Sequence, residues 1–351
     1  MPTEYHKYSF LGNEIILEVP LSTFLLAFVG ALTLMTYASS LVRFLFAITA
    51  GKGVPLYRFK ASKGTTYAIV TGCTSGIGLE FARQLAADGF GLILVGRRQS
   101  ALDELARELE SAHKIRALSV VADAADPKDL HAAVARVAAV ARTVDTGILI
   151  NNVGASHEMP VAFHETDPAE IDNIVQTNIS WTLQLTRAIM PLLVVRSTPG
   201  YAPKSLVMTI GSLSGRIPSP LLAAYSCTKG GLKTWNQALA AEVQSKGVVC
   251  TMVFPAFVVS NMSKIRKPSL TVPTAEKFVK STLGSIGAAR GAQGRLYEST
   301  PYPAHAVMDY AVGLAGNASE SLAVSVIHSM HKDIRKRALK KKERQLAAKT
   351  E

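Results

Sequence analysis

Tyr225 and Lys229 stand four residues apart in the run Tyr-Ser-Cys-Thr-Lys, with Ser212 thirteen residues upstream and a glycine-rich run, Thr71 to Gly78, far N-terminal to both. Four residues make about one helical turn, so the phenol and the ammonium project from one face and can meet at one substrate atom. A tyrosine is a weak acid, with a reference pKa of about 10. A cation beside it favours the phenolate and is expected to bring the proton within reach. Ser212 adds a hydroxyl that can hold a carbonyl oxygen. An acid, its tuner and an orienter together suit proton delivery to an oxygen whose carbon has received a hydride. The pair alone says little, since tyrosine and lysine recur at this spacing on exposed helices by chance.

The elements that must position these groups are legible around the glycines. Thr66 to Thr71 is a short apolar, β-prone stretch, and Leu79 to Ala87 has the pattern of a helix. Strand, glycine turn and helix form the context of a dinucleotide site. Gly72, Gly76 and Gly78 allow a tight turn, close approach of backbone to a pyrophosphate, and packing of helix on strand, while the helix N-terminus offers N–H groups to phosphates. Gly91 to Val95, Ala117 to Val121, Ile148 to Ile150, Ser205 to Ile210 and Val248 to Phe254 are further strand candidates separated by helical stretches. That alternation predicts an α/β fold, a Rossmann-type doubly wound parallel sheet.

Thr71 to Gly78, Asn151-Asn152-Val153-Gly154, Asn178, Ser212, Tyr225 and Lys229, in this order, resemble the short-chain dehydrogenase/reductase pattern over roughly Gly64 to Thr300. The resemblance implies a catalytic set of Ser212, Tyr225, Lys229 and Asn178, the last holding a helix distortion and a water in the proton relay to Lys229. It also implies a cofactor set of Val70, Gly72, Ser75, Gly76, Ile77, Gly78, Arg97, Arg98, Asp123, Asn152, Gly154, Val258 and Ser260, together with Tyr225 and Lys229. Val153 stands where relatives usually carry alanine, and Ala256 where they usually carry glycine. Asp123 either meets the adenine edge or serves as a turn or helix-cap acid. Arg97 and Arg98 follow the second strand, where an acid would bind the ribose of NAD and an arginine instead accommodates the 2′-phosphate of NADP. NADPH is therefore the expected cofactor, and no metal is needed.

Pro218 to Lys229, Phe254 to Met262 and Met330 to Lys341 further resemble the microsomal very-long-chain 3-oxoacyl-CoA reductases of fungi, and this likeness spans nearly the whole chain. It implies an acyl-CoA substrate, reduction to the 3-hydroxyacyl-CoA in the fatty acid elongation cycle, and company with other elongation-cycle enzymes. A reductase of steroid, retinoid or sphingoid ketones and a non-catalytic membrane scaffold are the alternatives. Retention of all four catalytic residue types speaks against the scaffold.

Composition bounds the picture independently. The chain has 351 residues, 48% of them hydrophobic, enough for one large α/β domain with accessory segments. Val19 to Val42 carries no charge and matches the roughly 20 residues needed to cross a bilayer. Its leader, residues 1–18, holds Glu4, Glu14 and Glu18 rather than a basic region, as a retained anchor does. Arg43, Lys52, Arg58, Lys60 and Lys63 follow the span, so the catalytic domain is expected on the cytosolic side in a single-pass arrangement, and the resemblance to the microsomal reductases implies that the membrane is the endoplasmic reticulum. Residues 64–300 are the expected reductase domain. Residues 301–351 are a membrane-proximal segment and basic tail, with Pro301 to Met330 expected to be amphipathic or membrane-surface and a second span as the minority reading. The net charge is +12, and half of it lies between Lys332 and Arg344, where eight bases face two acids. Beside a membrane such a tail suits anionic lipid rather than nucleic acid. Cys73, Cys227 and Cys250 are too few and too scattered for a disulfide framework.

Overall fold

The structure is a computed structural model that describes residues 6–10, 13–17, 21–51, 53–197 and 203–350. Val19 and Pro20 of the expected span and Lys52 of its basic flank lie outside the described residues. Within the leader, β1 (His6–Phe10) and β2 (Asn13–Leu17) pair antiparallel. The next element, α1 (Leu21–Ala50), is a 30-residue helix, about 45 Å long at 1.5 Å per residue. Residues Ser22–Thr49 are the one stretch among the described residues long and apolar enough to cross a membrane. The helix thus passes through Arg43 rather than ending before it. Arginine is a good helix former, and the apolar run resumes at once with Phe44, Leu45 and Phe46.

The reductase fold alternates as its sequence pattern requires. In order come β3 (Thr66–Thr71), α2 (Gly76–Ala87), β4 (Gly91–Gly96), α3 (Gln99–His113), β5 (Ala117–Val121), α4 (Leu130–Arg142), β6 (Asp145–Asn151), α5 (Pro168–Val175), α6 (Trp181–Arg196), β7 (Ser205–Ile210), α7 (Ala223–Val243), β8 (Val248–Val253), α8 (Ala275–Leu283) and β9 (Glu298–Ser299). The seven strands from β3 onward form one parallel sheet in the order β5-β4-β3-β6-β7-β8-β9. Its strands read as nearly continuous apolar runs because both faces are covered. Ala68 and Val70 of β3 face Phe81 and Leu85 of α2 and Leu102 of α3. Their neighbours Tyr67 and Ile69 face the other side, where Val137 of α4 and Trp181, Leu185 and Ile189 of α6 pack. The strand β9 has no apolar run to announce it, since it is two residues at the sheet edge.

Two helices complete the chain, α9 (Pro303–Ala318) and α10 (Glu320–Thr350). The stretch expected to lie along a membrane surface is, in α9, built into the protein. His305, Ala306, Asp309 and Tyr310 are buried, and Phe44 of α1 stacks on Tyr310 with ring centroids 4.3 Å apart. Arg290 adds hydrogen bonds of 3.0 and 3.2 Å to the Ile48 carbonyl, so the end of α1 is docked on the reductase fold.

Candidate active site

The carboxyl ends of the parallel strands and the C-terminal helices enclose a cavity of about 620 Å³. Its floor is the turn from β3 into α2. Gly72 and Gly76 there have φ of +64° and +57°, the left-handed region that glycine enters without steric cost. Gly78 does not line the cavity. A Cβ there would collide with the Gly72 carbonyl and the Asn152 side chain, so this glycine serves helix-on-strand packing. Asn152 lines the cavity and pins the turn, its Nδ2 donating to the Thr71 carbonyl at 2.9 Å. Ser75, Ile77, Gly154, Val258 and Ser260 also line it, whereas Val70 is buried in the core below.

Arg97 reaches the cavity wall but Arg98 does not. Arg98 occupies the N-cap position of α3, where the chain has turned away. Asp123 lines the cavity and also accepts from the Ala125 N–H at 3.0 Å, so the turn-acid reading holds without removing it from the site. Ala256 lies outside the left-handed region, so its position does not require glycine. These residues fit a nicotinamide dinucleotide: a cradle of bare backbone at a helix N-terminus is what its phosphates need, and Arg97 stands beyond the second strand.

On the opposite wall, Ser212, Tyr225 and Lys229 converge. Ser212 caps a short 3-10 turn over Leu213–Gly215, its Oγ accepting from the Ser214 N–H at 3.2 Å. Tyr225 hydrogen-bonds with Ser212. Lys229 donates from Nζ to the Ile210 carbonyl at 2.8 Å, with Nζ 5.8 Å from the Tyr225 ring centroid. A Cβ on Gly215 would lie 2.6 Å from the Lys229 carbonyl carbon, so only glycine lets the serine loop rest on α7.

The expected lowering of the tyrosine by the lysine is not what this environment does. Burial raises the Tyr225 phenol, and the Ser212 hydrogen bond opposes this. Burial also pushes Lys229 down to about 8. Both groups sit away from water, which disfavours their charged forms, and the ammonium spends a donor on Ile210 rather than on the phenol.

Asn178 is fully buried and lies in a π-helical turn, Gln176–Ser180, between α5 and α6. Its side chain accepts from the Ala155 N–H at 2.8 Å and donates to the Ala155 carbonyl and to Thr228 Oγ1, each at 2.9 Å. Thr228 precedes Lys229, so this asparagine ties the loop after β6 to the helix that carries the lysine and tyrosine.

Sequence reasoning missed three groups. His305 is fully buried; its Nδ1 accepts from the Ala256 N–H at 3.3 Å, and its Nε2 is 3.2 and 3.1 Å from the carbonyls of Phe257 and Thr271. Burial holds it down to about 4, so it stays neutral. Arg216, four residues after Ser212, and Asp309 of α9 meet in an ion cluster with Glu298 and Arg295. Nothing local marks these residues, since His305 reaches back 34 to 49 positions and Arg216 meets Glu298 and Asp309 82 and 93 positions on.

Comparison with known proteins agrees with this geometry. Residues 66–270 match the short chain dehydrogenase family model. A very-long-chain 3-oxoacyl-CoA reductase of Coprinopsis cinerea is 42% identical, covering 93% of this chain and 94% of its own. One from Scheffersomyces stipitis is 38% identical over 99% of this chain and 96% of its own. The solved short-chain dehydrogenase from Sphingobium yanoikuyae in complex with NADPH superposes with a TM-score of 0.57 at 26% identity, covering 74% of this chain and 96% of that one. With a glycine cradle at the floor of its cavity and serine, tyrosine and lysine on the wall, the chain belongs to the short-chain dehydrogenase family of nicotinamide-dependent oxidoreductases.

Proposed function

We propose that this protein is an NADPH-dependent very-long-chain 3-oxoacyl-CoA reductase, forming the 3-hydroxyacyl-CoA in fatty acid elongation at the endoplasmic reticulum membrane. The observation that carries the reading is the 38% identity to such a reductase across 99% of the chain, through the anchor and both C-terminal helices as well as the reductase fold. When bound, the nicotinamide supplies the hydride that adds to the ketone carbon. The chain's own residues do the rest. Ser212 holds the ketone oxygen, and Tyr225 gives its proton to the alkoxide that develops there. A phenol raised by burial still holds its proton at neutral pH, which is the form a reductase needs. The charged Lys229 beside the phenol assists that transfer, and Asn178 steadies α7 through its bonds to Ala155 and Thr228. Val258 and Ser260 are assigned to the carboxamide side of the nicotinamide, and Asp123 to the adenine side.

The assay is oxidation of NADPH by membranes carrying the protein, with long-chain 3-oxoacyl-CoA as substrate. Turnover there, and none with sterol, retinoid or sphingoid ketones, supports the reading; the reverse preference refutes it. NADPH over NADH is assigned to Arg97, whose guanidinium would meet the 2′-phosphate. Replacing Arg97 by Gln is expected to lower kcat/KM with NADPH about 10- to 100-fold relative to NADH. An unchanged ratio would mean that the phosphate is read elsewhere.

The catalytic domain is assigned to the cytosolic face, where the other elongation-cycle enzymes would meet the same lipid substrate. Asn178, Asn261 and Asn317 each begin a glycosylation sequon. Asn178 is buried and would stay unmodified in either compartment, but Asn261 and Asn317 are exposed and do report topology. Neither is expected to acquire glycan when the full chain is made in cells, and a glycosidase-sensitive mass shift would reverse the orientation.

A further inference from the structure

We propose that α9 and α10 seat the acyl chain on an apolar strip of Met308, Val312, Ile327 and Met330, and that this strip sets the preference for long chains. The inference rests on the 3-oxoacyl-CoA reading and adds the place where the hydrocarbon lies. The cavity that holds Ser212, Tyr225 and the glycine cradle continues without a break to these four residues. Met308 and Val312 are four apart on α9, and Ile327 and Met330 three apart on α10, so each helix turns one face to the cavity. The opposite end of the cavity is polar, with Thr74, Ser75, Arg97 and Asp123. The four side chains offer no strong hydrogen-bonding group, and His331 beside them on α10 has its Nδ1 engaged 2.8 Å from the Pro220 carbonyl, so the strip favours hydrocarbon.

The back of α9 is equally defined. Ala306, Tyr310 and Leu314 pack with Phe44 and Ile48 of the membrane helix. At 3.6 residues per turn, that set lies roughly opposite Met308 and Val312 on the helix. Asp309, between the two faces, is held by Arg216 of the serine loop and by Arg295. One helix is thus fixed against the membrane anchor, against the catalytic loop and, by its remaining face, along the cavity. A wall clamped on both sides holds a constant distance from Tyr225, which is what discrimination by chain length requires.

The side chains themselves suit a lipid. Met308 and Met330 are unbranched thioethers that adapt to irregular apolar surfaces. Met330 is 36% exposed at the rim, an apolar side chain that a passing acyl chain would cover.

The experiment measures kcat/KM for a short-chain and a long-chain 3-oxoacyl-CoA with the full-length protein in membranes. Two substitutions on different helices are compared with the unmodified enzyme. Val312→Phe fills the strip, and Met330→Gln keeps the side-chain length while placing an amide against the hydrocarbon. Each is expected to lower the long-to-short ratio of kcat/KM by about 10-fold, the scale on which apolar pockets discriminate. If Val312→Phe does not accumulate, Met330→Gln decides, because its site is partly exposed and tolerant. Unchanged ratios, or equal losses on both substrates, overturn the acyl seat. An unmodified enzyme that turns over neither substrate and instead reduces sterol ketones overturns the functional reading, a result distinct from failure of the seat.

Discussion

Tyr225→Phe is expected to cut turnover by about 10²- to 10⁴-fold, the usual contribution of a positioned general acid, while leaving cofactor binding nearly unchanged. The substitution removes one oxygen from a side chain that is 9% exposed and otherwise keeps its packing with Ile174 and Ala224. The phenol's hydrogen bond with Ser212 is lost, but that serine still accepts from the Ser214 N–H and keeps its orientation. The pH profile separates the roles of the two titrating groups. Tyr225 is raised, so the proton it donates remains on it throughout the neutral range. Lys229, at about 8, is charged below that pH and neutral above it. Since kcat/KM reports the essential groups of the free enzyme, it should be level below about pH 8 and decline as pH rises through it. Stopped-flow measurement of reduction by the variant, with cofactor binding followed by fluorescence, checks both parts. A Phe variant retaining more than a small fraction of the rate would remove Tyr225 from the role of acid.

Asp309→Ala carries the largest expected cost in stability. Arg216 Nη1, Arg295 Nη2 and Thr300 Oγ1 all donate to one oxygen of this carboxylate, Oδ2. The Asp309 and Arg216 side chains are each 5% exposed. Burial raises the Asp309 carboxyl, and the Arg216 charge and the Thr300 hydroxyl oppose that rise. Removing one member of a buried ionic set leaves an uncompensated charge, worth about 3 to 5 kcal/mol. Glu298 still holds Arg216 at 2.8 Å, which places this case near the low end, about 3 kcal/mol. Turnover should fall as well, because Arg216 directly follows Gly215, the residue that rests on Lys229. Denaturant unfolding of the detergent-solubilised protein measures the first effect and NADPH oxidation the second. Asp309→Asn, which keeps an acceptor for Thr300, should lose less than the alanine variant. A denaturant midpoint indistinguishable from that of the unmodified protein would show that the cluster adds no stability.

The contrast between these two predictions follows what local sequence can and cannot specify. The strand, glycine turn and helix at Thr66 to Ala87 are legible because the chemistry is contiguous. An apolar run buried on both faces, three glycines and a helical period all fall within one stretch of chain. The tyrosine and lysine are legible because one helical turn sets their separation whatever surrounds it. Asn178 was reachable through the family pattern, and the structure adds the reason for its position, a π-helical turn from which the side chain reaches both Ala155 and Thr228.

The direction of the Tyr225 shift was not legible. Spacing brings a cation near the phenol, but the balance between burial and charge depends on how much water the completed fold excludes. Asp309 is the same lesson in another form. In sequence it interrupts an apolar stretch and suggests a helix with a wet face; in the fold it meets Arg216, 93 positions earlier, and the interruption becomes an anchor. The separation of Arg97 from Arg98 likewise needed three dimensions, since of these adjacent residues just before α3 only one lines the cavity.

The sequence by itself determined the doubly wound sheet, the cofactor turn, the Ser212, Tyr225 and Lys229 set and an apolar helix near the N-terminus, because each rests on local periodicity or on spacing along one element. Tertiary structure alone decided how deeply Tyr225 and Lys229 are buried, which arginine reaches the cavity, and that α9 joins the apolar N-terminal helix to the serine loop. Those properties arise from contacts between residues far apart in the chain, and such contacts exist only once the sheet and its covering helices have closed around them.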